Sequence, residues 1–248
     1  MPKLNTFSDK IALVTGASKG IGKAIALELS SKGAIVIIHY YKDSIEAESV
    51  CKEIKSNGGK AYAVQANLTE EKDRISLKNA VTKIANKLDI LVNNAGMFYD
   101  NDNFNSATET FDKLLALHVT AVARLCSLFK PILSKDASII NISSIHGIIA
   151  KEHAIAYSAS KAATNSLTQS LAQAYAPIRV NSISPGPVET DMWNTVDKKT
   201  IASVAQETLL KRFGKPIEIA KVVAFLASVD ASYITGANIV VDGGTLLY

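Results

Sequence analysis

Tyr157 and Lys161 stand four residues apart in a stretch, 155–176, whose apolar spacing predicts a helix, so a phenol and an ammonium share one helical face a turn apart. A free phenol titrates near ~10 and gives up its proton sluggishly at neutral pH, whereas a neighbouring ammonium stabilises phenolate. Such a pair suits a carbonyl oxygen on which negative charge forms as hydride reaches its carbon, because an acid must then deliver a proton. Ser144, thirteen residues before Tyr157 and just past a predicted strand, can hydrogen-bond that oxygen and hold it near the phenol. An isolated tyrosine and lysine at this spacing is often only a helix surface, and Ser144 upstream favours the catalytic reading.

A second constellation sits near the start of the chain. Thr15-Gly16-Ala17-Ser18-Lys19-Gly20-Ile21-Gly22 joins the first predicted strand to the first predicted helix. Glycines there permit a tight turn, let the backbone approach a pyrophosphate and aim helix N-terminal amides at the anion. A nucleoside triphosphate loop is disfavoured, because Gly22-Lys23 is followed by Ala24, which has no hydroxyl for magnesium, and the glycine spacing is one residue short. The second strand ends His39-Tyr40-Tyr41-Lys42. A carboxylate at its end would bind ribose hydroxyls and repel a 2'-phosphate, but none stands at Tyr40, and Lys19 and Lys42 could both face that phosphate. NADP is therefore expected ahead of NAD, which Asp43 keeps open.

The elements that must position these groups alternate along the chain. Strands are expected at 11–15, 34–40, 60–66, 89–92, 138–142, 179–184 and 238–241. Helices are expected at 20–31, 44–57, 70–87, 108–133, 155–176 and 217–228. Strands apolar nearly throughout, such as Ile35-Val36-Ile37-Ile38, belong in a sheet covered on both faces, which points to a doubly wound parallel α/β fold of seven strands. The stretch 187–211 has no strand candidate and a helical-looking 198–209, as expected of a lid at the C-terminal ends of the strands.

With 248 residues, 48% of them hydrophobic and 20% charged, the chain reads as one globular domain over 1–248. The 27 Lys and Arg against 23 Asp and Glu are too evenly matched and too dispersed to indicate nucleic acid. Cys51 and Cys126 lie far apart with no ligand-spaced partners, so neither a disulfide nor a metal is expected. Residues 1–10 lack a signal-peptide core and no apolar run reaches ~18 residues, so a cytoplasmic location without membrane insertion is expected.

The motifs resemble the short-chain dehydrogenase/reductase family, from about Lys10 to Gly244. They are Thr15-Gly16-x3-Gly20-x-Gly22, Asn93-Asn94-Ala95-Gly96, Ser144 with Tyr157-x3-Lys161, Pro185-Gly186 and Asp242-Gly243-Gly244, in that order. Glu189-Thr190-Asp191-Met192, Arg212-Phe213-Gly214-Lys215-Pro216 and Tyr233-Ile234-Thr235-Gly236 look most like bacterial 3-oxoacyl-[acyl-carrier-protein] reductases, and are shared with several sugar and alcohol dehydrogenases. The resemblance implies a Rossmann fold, with Ser144, Tyr157 and Lys161 catalytic. It implies that Gly16, Ser18, Lys19, Gly20, Ile21 and Gly22 hold the pyrophosphate side of the cofactor, with Tyr40, Tyr41 and Lys42 at the adenosine ribose. Asn67, where the family commonly has Asp, and Leu68 would face the adenine. Asn94, Ala95 and Gly96 would shape the adenosine and central ribose pocket, and Pro185, Gly186, Val188 and Thr190 would flank the nicotinamide. Tyr157 and Lys161 would also touch the cofactor, Lys161 at the nicotinamide ribose.

Two positions depart from the pattern. His118 occupies the place of an asparagine thought to hold a water connecting the lysine to solvent. A ring nitrogen could serve the same end, or His118 could be a packed, hydrogen-bonded helix residue. Ala154 replaces a glutamine frequent in acyl-chain reductases, and the turns at 130–136 and 176–178, where a carrier protein would dock, are short. The first-choice substrate is a 3-oxoacyl thioester, free or carrier-bound; a sugar, polyol or other small alcohol is the alternative, and a cofactor-binding regulator without turnover is the alternative of another class. Related reductases are commonly tetramers, and apolar residues on more than one face of 108–133 and 155–176 agree with a homotetramer.

Overall fold

The seven strands are β1 (Ile11–Val14), β2 (Ile35–Tyr40), β3 (Lys60–Gln65), β4 (Leu88–Asn93), β5 (Leu133–Ile142), β6 (Arg179–Pro185) and β7 (Asn238–Val241). They form one parallel sheet in the order β3-β2-β1-β4-β5-β6-β7. The computed structural model describes residues 6–99, 102, 107–194 and 196–247, so Met1 to Asn5 of the N-terminal stretch and residue 195 of the expected lid lie outside the described residues. Alternation along the strands feeds two cores. Ala12 and Val14 of β1 join Val36 and Ile38 in one, with α1 (Gly20–Ser31), α2 (Ser44–Ser56) and α8 (Pro216–Ala227) laid over them. Leu13, Ile37 and Leu91 face the other core, under α3 (Glu71–Ile84), α5 (Ala121–Phe129) and α6 (Ile155–Tyr175). Each Val, Leu or Ile side chain so removed from water contributes ~1.5–3 kcal/mol, and β1, β2 and β4, covered on both sides, turn neither face to water.

The chain runs outward from β1 to β3, then returns to β4 on the other side of β1. This reversal opens a crevice at the carboxyl ends of β1 and β4, the place where open sheets of this kind take ligands. The segment after β1 and the segment after β4 therefore face one another across it.

One expected helix is built differently. The run 108–133 is divided into α4 (Ala107–Leu115), a π-turn (Ala116–Thr120), α5 and a 3-10 turn (Lys130–Ile132), and Leu133 already belongs to β5. The π-turn contains His118, whose carbonyl accepts a bond from Thr164 Oγ1 at 3.1 Å. Glu109–Ile132 is long and apolar enough by composition to cross a membrane. Its apolar face, including Leu117, Leu125 and Phe129, packs into the sheet's second core. After β6 a 3-10 turn (Asp191–Trp193) and α7 (Lys198–Gln206) make up the excursion before α8, and Trp193 meets Phe213 edge-on at 4.8 Å.

Candidate active site

The glycine turn is fastened from both sides. Gly16 sits at φ +60°, a conformation that disfavours side chains, and a Cβ there would lie 2.9 Å from Ala95 Cα. Asn94 Nδ2 donates to Thr15 O at 2.9 Å and to Gly16 O at 3.0 Å, while Thr15 Oγ1 accepts the amides of Asn94 and Ala95 at 2.9 Å each. From the other side His39 Nδ1 accepts the Gly16 amide at 3.1 Å. A Cβ on Gly22 would strike Gly16 O at 2.2 Å, so the first turn of α1 needs glycine at this position to lie so close to the loop. No side chain caps α1, and its first turn carries no acid. Helix N-terminal amides left in this way are a seat for an anion, and the groove admits a pyrophosphate backbone-first. Thr190 comes down on this turn, with its Cγ2 3.5 Å from where a Gly20 Cβ would be. Gly186 passes so close to Asp242 that a Cβ would meet its Cα at 2.7 Å, and Val188 is buried where it bridges Gly214. Ser18 is buried in the turn and Lys19 projects from it.

At the adenosine end, Tyr41 and Lys42 are exposed, the Lys42 ammonium lying 5.1 Å from the centre of the Tyr41 ring. Lys19 Nζ is paired with Asp43 Oδ2 at 3.1 Å. Asn67 differs from expectation. Its Oδ1 accepts both the amide of Thr69 at 3.1 Å and Thr69 Oγ1 at 2.8 Å, so the oxygen expected to receive the adenine amino group is occupied in a local turn. Leu68 is buried, and its carbonyl accepts a bond from the buried Arg74 guanidinium, which no motif singled out.

Ser144, Tyr157 and Lys161 come together where β5 ends against the start of α6. Gly147 makes this possible, since a Cβ there would lie 2.7 Å from the carbonyl carbon of Lys161 and push the strand-end turn off the helix. Ser143 Oγ donates to Lys161 O at 3.0 Å, tying the same turn to α6. Ser144 Oγ accepts the His146 amide at 3.1 Å, and its hydroxyl lies near enough to the phenol to lower the Tyr157 pKa. Lys161 is 5% exposed; its Nζ donates to Ile142 O at 2.9 Å and lies 5.6 Å from the centre of the Tyr157 ring.

The electrostatics depart from the simple expectation that lysine pulls the phenol's pKa down. Burial raises the Tyr157 pKa, against the lowering effect of the Ser144 hydroxyl. Burial likewise brings Lys161 down to about 8, so the ammonium is the group displaced toward neutrality. Three rings stand edge-on around Tyr157, those of Phe98, His118 and His146 at 5.2, 5.6 and 5.9 Å. A cavity of about 420 Å³ opens on the other face of α6, lined by Ile148, Lys151, Ile155, Ser158 and Ala162, and neither Tyr157 nor Lys161 lines it.

His118 is held at both nitrogens. The Met97 amide donates to Nε2 at 3.1 Å, so the proton resides on Nδ1 and is given to Ser160 Oγ at 2.9 Å, and Ser160 in turn donates to Tyr157 O at 2.8 Å. Burial first, and the Lys161 charge second, keep its pKa well below the ordinary imidazole value. Of the two readings of His118, this geometry matches the packed, hydrogen-bonded one. It ties the π-turn to the backbone of the helix that carries the phenol, and leaves neither nitrogen for a water.

Asp102 is a further contributor that no motif marks. Its carboxylate is 1% exposed and accepts the amides of Ala156 at 3.0 Å and Tyr157 at 2.7 Å, capping α6 from 55 residues away in sequence. Only the missing cap could have signalled it: Ala154 precedes α6, and an alanine side chain has no atom to accept the free amides of the first turn.

A family model described as enoyl-(acyl carrier protein) reductase matches residues 16–245. The chain is 36% identical over 240 residues to the 3-oxoacyl-[acyl-carrier-protein] reductase FabG of Staphylococcus epidermidis, covering 95% of this chain and 98% of that one. It is 36% identical over 252 residues to the 3-oxoacyl-[acyl-carrier-protein] reductase of Synechocystis, covering 99% and 100%. Among solved structures, angucycline C-6 ketoreductase LanV with bound NADP superposes with a TM-score of 0.93 at 34% identity, over 98% of both chains. The ordered motifs, the seven-stranded sheet and these likenesses agree: the chain belongs to the short-chain dehydrogenase/reductase family and is an NAD(P)-dependent oxidoreductase.

Proposed function

We propose that the protein reduces the ketone of a 3-oxoacyl thioester to a secondary alcohol with NADPH, and that Ser144, Tyr157 and Lys161 carry the reaction. The observation behind this reading is the meeting of those three side chains beside an uncapped, glycine-built helix N-terminus. The cofactor, when bound, supplies hydride to the carbonyl carbon. Ser144 then holds the carbonyl oxygen, and Tyr157 gives it a proton as charge forms there. A phenol is protonated at neutral pH, and burial, which raises the Tyr157 pKa further, keeps it so, so it stands loaded as an acid. Lys161 places a positive charge beneath the ring and steadies the phenolate left behind.

The choice of thioester follows the two reductases named above. A second reading, reduction of a ring ketone, is favoured by the Phe98 and His146 rings around Tyr157 and by Ala154 in place of glutamine. Initial rates over a carbonyl panel with NADPH and NADH separate them: the thioester is expected to give the highest kcat/KM, and a higher value for a cyclic ketone would establish the second reading.

NADP is favoured over NAD by the lack of an acid at Tyr40 and by Lys19 and Lys42, and LanV was solved with NADP. In this protein Asp43 already neutralises Lys19, so a 2'-phosphate would have to take the ammonium from it. Replacing both lysines by alanine is expected to weaken NADPH about tenfold or more, the loss of charge-assisted hydrogen bonds, while NADH keeps its affinity. Equal losses for both cofactors would show that neither lysine reads the phosphate.

A homotetramer in the cytoplasm completes the reading. Phe225 on α8, Val229, Tyr233 and Val240 on the edge strand β7 leave apolar surface exposed for a second subunit, and both cysteines are buried and free, as a reducing compartment would leave them. Sedimentation at micromolar concentration measures the assembly directly.

A further inference from the structure

We infer that His39 is a positioning residue for the cofactor, its imidazole clamping the glycine turn to the ends of β2 and β3. His39 interrupts an otherwise apolar strand and is 2% exposed. A buried imidazole has two nitrogens to satisfy, and the place where it spends them is informative. Nδ1 accepts the Gly16 amide at 3.1 Å, and Nε2 lies 3.1 Å from Ala66 O. A carbonyl can only accept, so Nε2 carries the proton and Nδ1 is bare; one neutral tautomer makes both bonds. Burial supports that state by bringing the pKa to about 4.

The two bonds join the segments that follow β1 and β3 through β2, on the side of the crevice away from β4. Gly16 stands two residues beyond the end of β1, and its carbonyl is held by Asn94 and its amide by His39. The Ala17 amide also donates to His39 O at 2.9 Å, so β2 grips two successive residues of the turn. Ala66 closes β3 beside Asn67, at the end assigned to adenine. The bond to Gly16 is therefore the one that acts on the phosphate end of the groove, and the bond to Ala66 fixes the tautomer and ring orientation that make it, while Ser144, Tyr157 and Lys161 lie beyond β4, at β5 and α6. Loss of the ring is expected to act on cofactor affinity and to spare turnover. The inference rests on reading the turn as the cofactor cradle.

Two replacements divide the ring's roles. His39→Asn keeps an oxygen where Nδ1 stood, able to accept the Gly16 amide, but cannot reach Ala66. His39→Gln can set an amide nitrogen where Nε2 stood, able to donate to Ala66, and offers nothing to Gly16. Calorimetric titration with NADP is expected to show about tenfold weaker binding for His39→Gln, the effect of one lost hydrogen bond, and near wild-type binding for His39→Asn. KM for NADPH should rise in parallel with kcat held within about twofold. Wild-type affinity in His39→Gln, or equally weak binding in a His39→Asn protein with a normal melting curve, overturns the clamp. If His39→Gln does not fold, tenfold weaker binding by folded His39→Asn overturns it and wild-type binding supports it. Gly20→Val, at φ +56°, is the control. Weak binding there with wild-type binding in His39→Gln refutes the clamp alone, whereas wild-type binding in both refutes the cradle with it.

Discussion

Tyr157→Phe is expected to lower turnover by about 10²- to 10⁴-fold, the range spanned by general acid catalysis, while NADP binding survives. The substitution takes away one oxygen and its proton. The ring remains, and with it the edge-on contacts to Phe98, His118 and His146 that hold it in place. The Ser144 hydroxyl still accepts the His146 amide, so the end of β5 keeps its turn. Because Asp102 caps α6 through backbone amides, the helix itself does not sense the missing hydroxyl. A melting temperature close to wild type with turnover reduced as stated would assign the proton to this oxygen. Near wild-type turnover on a verified substrate would place the acid elsewhere.

Much of the scaffold beneath this chemistry is legible in the sequence because its signals are local. The apolar run at β2, the glycine that opens α1 and the glycines that follow α1 and α2 fix those elements within a residue or two. The helix through His118 is less legible. An apolar face with helical spacing runs from Leu114 to Phe129, and nothing in that spacing announces the extra residue of a π-turn, whose His118 carbonyl is met by Thr164 of α6, 46 residues on. The early start of β5 is hidden for a related reason: Ser134-Lys135-Asp136 is polar and lies at the strand's exposed beginning, where no core face imposes alternation.

The reacting groups and the glycine turn stand out because their spacing is set within a single turn or helix. The groups that aim them do not. Asp102 reaches α6 across 55 residues, and its role is visible only once the chain is folded. Asn67 shows the converse limit, since the residue type permits an adenine contact while Thr69, two residues on, has already taken the oxygen. His39 lies between these cases. A lone histidine in an apolar strand signals that two buried nitrogens need partners, but which partners is a property of the sheet order.

Lys161→Met is expected to cost about 10²-fold or more in turnover and yet to stabilise the fold near neutral pH. The ammonium is buried, and its pKa is lowered by that burial from 10.5 to about 8. A displacement of that size corresponds to ~3 kcal/mol held against the charged form. Below pH ~8 lysine is charged in both folded and unfolded chains, so the native state bears the whole penalty. Between about 8 and 10.5 the unfolded chain binds the proton that the native chain has shed, and stability of the wild type rises with pH by up to ~3 kcal/mol. Methionine has no proton to lose, so this component of the rise should be missing from the variant. Against the gain stands the Ile142 carbonyl, which loses the donor at 2.9 Å and costs ~1 kcal/mol. The balance favours the variant by ~2 kcal/mol at pH 7, several degrees in melting temperature for a chain of this length. The difference between the two melting-temperature profiles isolates Lys161 from every other titrating group. Identical pH slopes would mean that the ammonium is not buried at this cost. A stabilised variant with undiminished turnover would mean that the phenol does not need it.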